Sequence, residues 1–151
     1  MSVPQFGARE PGRDYPDRPA AFAVIEKDGK IALVHVTFEG GGGRTDLPGG
    51  GLDEGESEAE AAIRECGEEA GLVVQVEAPV VRADHYFVNE KGVSRNTRGV
   101  FFAARAIGED AALKIEADHH LVWVDPVQAL ISLDRESHVW AVACWLRLRR
   151  R

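Results

Sequence analysis

Eight carboxylates and a single guanidinium crowd the seventeen residues from Asp53 to Glu69: Asp53, Glu54, Glu56, Glu58, Glu60, Glu65, Glu68 and Glu69 against Arg64. This window carries the whole formal charge of the chain, −7, so the remainder is balanced. Like charge at this density repels itself unless water or cations relieve it. A solvated helix face is the ordinary meaning of such a run, so spacing has to decide. On a helix turning about 100° per residue, Glu65 and Glu69 fall within ~40° of each other, and Glu68 lies ~60° to the other side of Glu65. Three hard oxygen donors on one rigid flank are what Mg²⁺ or Mn²⁺ binding requires. Eight of the 16 glycines lie between residues 40 and 55, leading directly into this segment. Glycine clusters mark turns, or places where backbone approaches a ligand closely.

The helix that must hold these carboxylates has a start and a stop. Ser57 with Glu60 three residues later forms a capping box, and Gly71 supplies the C-terminal stop. Between them Ala59, Ala62, Ile63, Cys66 and Ala70 recur at helical spacing. This apolar stripe predicts that Ile63 is buried, away from the glutamates. Upstream, Ala20–Glu26 and Lys30–Phe38 read as strands joined at Asp28-Gly29, a strong hairpin signal, and Thr45–Pro48 as a short strand. Downstream, Leu72–Val88 and Val100–Ala106 read as strands linked by a turn-rich Asn89–Gly99, with a short strand at Leu121–Val124. Asp125-Pro126 opens a helix, and Ser137–Leu148 forms another. Residues 1–19, with four prolines, are expected to be an extended arm without helix or strand, leaving 20–151 as one domain. A loosely held terminus is the simpler expectation for the arm; packing on a partner subunit, in a homodimer, is the alternative.

Composition narrows the classes. A chain of 151 residues, 44% apolar and 28% charged, suits one globular domain. No apolar run approaches the roughly 20 residues that cross a bilayer, so no membrane partner is expected. The N-terminus has no apolar h-region, so no secretory signal is expected either. Two cysteines, Cys66 and Cys144, fit a reducing, cytoplasmic compartment. A pI near 5.2 argues against a nucleic-acid binder that works by neutralising many phosphates.

Gly50, Glu56, Arg64, Glu65, Cys66, Glu68, Glu69, Gly71 and Leu72 resemble the Nudix box, G-x5-E-x7-R-E-U-x-E-E-x-G-U, where U is a bulky aliphatic. Leu47-Pro48-Gly49-Gly50-Gly51 is similar to that family's lead-in. Chance would match the fixed positions at about 10⁻⁹ per start site, on average residue usage. Two departures leave the carboxylates untouched. Cys66 stands where an aliphatic is usual, and Gly67 sits mid-helix, where glycine costs roughly 1 kcal/mol relative to alanine.

The resemblance implies an α/β fold in which a mixed β-sheet is sandwiched between helices. It also implies metal-dependent hydrolysis, by water attack at phosphorus, of a phosphoanhydride in a nucleoside diphosphate linked to another moiety. Mg²⁺ or Mn²⁺ would be held by Glu65, Glu68, Glu69 and the Gly49 carbonyl. Glu65 or Glu68 would serve as general base, and the Arg64–Glu56 pair would orient loop against helix. The family often recruits a further acid from a distant loop; Glu116 and Asp118 are the candidates here. Of His119 and His120, neighbours on a strand face opposite ways, so at most one is expected to face the site. Arg44, Arg82, Lys91, Arg95 and Arg98 are candidate phosphate contacts. The family's substrate-specific patterns are missing, since Pro79 lies seven and Tyr86 fourteen residues beyond Leu72.

Two other functions compete with that of a small-molecule pyrophosphohydrolase. A non-catalytic, nucleotide-binding Nudix-like module typically lacks one or more box glutamates, and this chain keeps them all. An RNA 5′-end pyrophosphohydrolase is disfavoured by the acidic balance and the want of a basic, aromatic patch.

Overall fold

The computed structural model describes residues 2–149. Eight strands form one mixed sheet: β1 (Gln5–Phe6), β2 (Asp17–Lys27), β3 (Lys30–Thr37), β4 (Gly43–Asp46), β5 (Gly49–Gly51), β6 (Leu72–Val88), β7 (Ser94–Glu109) and β8 (His119–Val124). Three α-helices complete the fold: α1 (Glu58–Ala70), α2 (Pro126–Ser132) and α3 (Glu136–Arg149). Hydrogen bonding orders the main path β1-β6-β7-β2-β3-β4, with β5 added to β2 and β8 to β3. Two pairings are parallel, β1 with β6 and β2 with β7; the others are antiparallel.

Strand periodicity explains why helices cover both faces. Along β2 the residues Ala20, Phe22 and Val24 join a core with Ala129 of α2, Leu133 just after it, and Ala141, Val142 and Trp145 of α3. The intervening Ala21, Ala23 and Ile25 point to the other face, toward Ala62, Cys66 and Ala70 of α1. A strand buried on both faces reads as a continuous apolar run rather than an alternation, as Ala20–Ile25 does. The expected sheet between helices is the observed one.

Local signals at α1 hold to the atom. Ser57 accepts the Glu60 N–H at 3.1 Å, and Glu60 accepts the Ser57 N–H at 3.0 Å. Gly71 closes the helix in the left-handed region, φ 67°, its N–H donating to the Gly67 carbonyl at 2.8 Å. The apolar stripe is corrected at one residue. Ile63 is 44% exposed, while Ala61 is fully buried in its place. The buried seam Ala61, Ala62, Cys66, Ala70 consists of small side chains, which let the helix sit close to the sheet.

Two loop expectations are also corrected. Residues 94–99 are strand rather than turn: β7 begins at Ser94, because Asn96–Arg98 find parallel partners in Asp17–Pro19 while Ser94–Gly99 pair with Ala83–Val88. The turn shrinks to the tip between β6 and β7, where Asn89 Oδ1 accepts the N–H groups of Lys91 and Val93. The N-terminal arm contains a short strand, β1, and ends inside β2. It packs on its own chain, with Phe6 against Trp140 (ring centroids 5.7 Å), Tyr15 edge-on to Tyr86 (5.4 Å), and Arg13 donating to Gly92 O. Prolines at 4, 11, 16 and 19 punctuate this path without preventing backbone pairing at Gln5–Phe6. At the other end, Arg147 and Arg149 occupy the last turn of α3, where cations complement exposed carbonyls. The remaining tail arginines, 150 and 151, lie outside the described residues.

An exposed position on α1 and a buried one in the core give a stability contrast. Ile63→Ala, on an exposed face, should change unfolding free energy by less than ~0.5 kcal/mol. Phe101→Ala, wholly buried in the α3-side core, should cost about 3–5 kcal/mol. Urea midpoints at constant m-value measure both.

Candidate active site

A cleft of about 240 Å³ opens where β5, α1 and the segment before β8 meet, lined by Gly49, Gly50, Glu65, Glu69, Glu116 and His119. Arg18, Arg44, Asp46, Thr97 and Arg135 line it as well. The lining thus combines an acidic wall with one rich in guanidinium.

Arg64 organises the acidic wall. Its guanidinium donates to both Glu56 carboxylate oxygens (2.8 and 3.0 Å), to Glu65 (2.9 Å), to Glu68 (3.1 Å) and to the Gly51 carbonyl (3.0 Å). Asp53 lies 3.3 Å away. The expected Glu56–Arg64 pair is therefore part of a network tying the glycine loop to the helix, not an isolated surface contact. Arg64, with the Asp53 N–H, holds the Glu56 carboxyl down at about 2.

Glu65 and Glu69 face the cleft. Glu69 is 7% exposed; it accepts the Gly49 N–H at 3.0 Å, and His119 Nε2 lies 3.3 Å from its other oxygen. Burial pushes the Glu69 pKa up, opposed by His119 and the Gly49 N–H. His119 in turn is pushed up to about 9, chiefly by Glu69. Burial, then the neighbouring charge of Glu69, raises Glu65 to about 7 despite Arg64. Gly50 lies directly beneath Glu65, where an added Cβ would stand 2.8 Å from the carboxyl carbon. Glu68 turns away to Arg64 and does not line the cleft. Its backbone carbonyl instead accepts the N–H groups of Ile115 and Glu116 at 3.0 Å. That bond swings Glu116 over the cleft.

Beyond the helix, the candidates divide. Glu116 and Arg44 line the cleft. Asp118 stands one step behind, 2.9 Å from His119 Nδ1, and ligand atoms of Glu116, Asp118 and His119 come within 4.8 Å of one another. His119 faces the site while His120 is exposed, as strand alternation requires. Arg95 lines an adjoining lobe. Arg98 is occupied outside the cleft by Asp17 (3.1 Å) and Asp84 (2.8 Å), and Arg82 by Glu58. Lys91 sits exposed on the β6–β7 tip. Arg18, Asp46, Thr97 and Arg135 were invisible as site residues. They come from β2, β4, β7 and the connection between α2 and α3, and only the fold brings them together.

The acidic wall suits a hard divalent cation. Its donors are carboxylate oxygens, two of them drawn out of water with pKa values raised, and glycine backbone lies against one carboxyl where a side chain would intrude. Sheet, capped helix and glutamate-lined cleft together define a hydrolase of the Nudix type. The NUDIX domain model matches residues 16–146, and the chain belongs to that family. An RNA pyrophosphohydrolase of Sphingopyxis alaskensis is 31% identical over 125 residues, spanning 73% of this chain and 78% of that one. Among solved structures, a NUDIX hydrolase from Nitrosomonas europaea superposes with a TM-score of 0.73 at 22% identity, covering 87% of this chain and 89% of its own. A MutT protein from Methanosarcina mazei gives 0.72 at 18% identity, covering 93% and 100%. Nudix hydrolases use divalent metal ions, consistent with the acidic wall. Among the described residues no helix is long and apolar enough to cross a membrane.

The raised carboxyl fixes a pH dependence for the metal-free protein. Folding lifts Glu65 from its ordinary value to about 7, so the folded state binds a proton that the unfolded state releases. This stabilisation is full below about pH 4.5 and is lost as pH rises through 7, on the order of 2 kcal/mol. In chelator, the urea midpoint should therefore fall between pH 5 and 8, and Glu65→Gln should flatten that fall. At pH 8, Mg²⁺ or Mn²⁺ should raise the melting temperature of the parent.

Proposed function

We propose that this chain hydrolyses a phosphoanhydride bond in a small-molecule nucleoside diphosphate derivative, with Mg²⁺ or Mn²⁺ as cofactor. The observation that carries this reading is the cleft itself, which brings the Glu65–Glu69 wall and the guanidinium groups of Arg44 and Arg135 into one space. Glu65, Glu69 and the Gly49 carbonyl would hold the cation in the cleft, and Glu68 would join them by exchanging its Arg64 contact for the metal. When bound, it would neutralise phosphate charge and acidify a coordinated water. The protein groups then have separate tasks. Arg44 and Arg135 receive phosphate oxygens, which a planar guanidinium matches in pairs. Arg64 holds Glu56, Glu65 and Glu68 in place at distances of 2.8–3.1 Å. Glu65, which faces the cleft while Glu68 faces Arg64, takes the proton from the attacking water. His119, between Glu69 and Asp118, orients the Glu69 carboxylate.

The Sphingopyxis relative supports a second reading, hydrolysis at an RNA terminus. The acidic balance of this chain favours the small molecule, because long nucleic acids add repulsion at every phosphate outside the cleft. We place the catalytic domain at residues 20–151, with 1–19 as an arm laid across it.

Substitution separates chemistry from folding. Glu69→Gln and Glu65→Gln should each lower turnover by at least ~10²-fold, while metal-free melting temperatures stay at or above the parent's. Near-parental turnover of Glu69→Gln would remove that carboxylate from the catalytic machinery, whereas nucleotide binding by the parent with no turnover would replace the enzyme with a binding module. In ¹⁸O-labelled water, hydrolysis should place one label on a phosphorus-bound oxygen of a product, read by mass spectrometry; label on a sugar carbon would contradict attack at phosphorus. A panel pairing nucleotides with 5′-triphosphorylated RNA, run with and without chelator, decides between the two substrates.

A further inference from the structure

The guanidinium wall continues past the catalytic cleft into a second lobe of about 110 Å³. Arg18, Arg44, Thr97 and Arg135 line both spaces; Arg95, Phe87, Asn89, Glu90 and Val93 complete the second. Four arginines therefore surround a lobe whose carboxylate partners are few. Asp46 is shared by Arg44 (2.8 Å) and Arg135 (3.2 Å), and Glu90 pairs with Arg44 (2.9 Å). Among the described residues, Arg18 has no ion pair within 4.0 Å, and Arg95 donates only to the neighbouring Ser94 carbonyl. Arg135 is nearly buried, and its Nε, though close to Asp46, makes no aligned hydrogen bond. Such a concentration of cation in a chain of net charge −7 asks for an anion.

The same lobe is badly made for a nucleobase. Its one aromatic ring, Phe87, is already covered by Arg135 (4.0 Å to the centroid) and Arg44 (5.1 Å). The Asn89 carbonyl oxygen is committed to its own turn, and Glu90 to Arg44. What remains is charge without a stacking surface. We infer that the Arg18–Arg44–Arg95–Arg135 lobe is a subsite for phosphates beyond the scissile linkage, so that the enzyme selects substrates with three or more contiguous phosphates over diphosphates ending in a neutral sugar. This rests on the reading of the cleft as a pyrophosphohydrolase site and extends it to the substrate class. A chain of phosphates beginning beside Glu65 and Glu69 would continue along the shared Arg44 and Arg135 into the second lobe, lined by Arg95, which the first cleft lacks.

Kinetics and binding test it separately. With Mg²⁺, kcat/KM for a nucleoside triphosphate and a dinucleoside tetraphosphate should exceed that for a nucleoside diphosphate sugar by ~10-fold or more, the effect of one added charge-assisted contact. Arg95→Gln should collapse that ratio through KM, whereas Arg105→Gln, an equal charge change on the outer surface, should keep it. Calorimetry of inorganic tripolyphosphate against pyrophosphate gives the readout without turnover. The parent should bind tripolyphosphate ~10-fold more tightly, and Arg95→Gln should close the gap. Equal affinities in the parent, or a gap that survives Arg95→Gln, would overturn the subsite. A gap with no nucleotide hydrolysed would overturn the enzymatic reading and leave the subsite standing. Selection of triphosphorylated over diphosphorylated oligoribonucleotide above either free nucleotide would support the subsite and assign its phosphates to an RNA end.

Discussion

Everything at the acidic wall depends on one guanidinium. Arg64 reaches Glu56, Glu65, Glu68 and the Gly51 carbonyl at once, so a single side chain offsets carboxylates that the helix alone would drive apart. Lysine could not replace it, because the bonds need donors spread over a rigid plane rather than a point charge. The arrangement is incomplete by design of the sequence. Arg64 is one cation shared by Glu56, Glu65 and Glu68, so burial and the neighbouring charge leave Glu65 and Glu69 under-compensated in the cleft, and that residual deficit is what makes the wall attractive to a cation.

The sheet supplies the second requirement, rigidity. Carboxylates withdrawn from water must be kept there against their own repulsion, and the seam of Ala61, Ala62, Cys66 and Ala70 lets α1 lie tightly on β2. On the far side, His138 accepts the Leu47 N–H at 3.0 Å from within the α3 core. Gly49, two residues on, then donates to Glu69. The chain from α3 to the glutamate is continuous, and each link is buried.

Local chemistry was the readable part of the sequence. The capping box at Ser57 and Glu60, the stop at Gly71 and the hairpin at Asp28-Gly29 depend on neighbours within a few residues, and they stand as expected. The strand expected at Thr45–Pro48 is instead replaced by β4, ending at Asp46, and β5, where Gly49–Gly51 pair with β2. Ile63 failed because a helix resting on a curled sheet buries a narrower stripe than the apolar residues suggest, and the small Ala61 lies nearer its centre. Residues 94–99 failed for a different reason. Their turn-like composition is overridden by partners on both sides, one of them in the arm more than seventy residues earlier. The helix glutamates were legible as a group, but the guanidinium-rich lining was not. Arg18, Asp46, Thr97 and Arg135 carry no periodicity or motif, and their meeting is a property of the strand order.

The tip between β6 and β7 has a consequence for how such a protein can diversify. Residues Asn89–Val93 close on themselves through the Asn89 side chain and touch the rest of the cleft mainly through Glu90 and Arg44. They lie nearly twenty residues past the end of α1 and share no core contact with it. Mutation and drift can therefore lengthen, shorten or recharge this tip while the glutamate helix is inherited intact. Descendants of one ancestral chain could acquire new diets without reinventing the reaction.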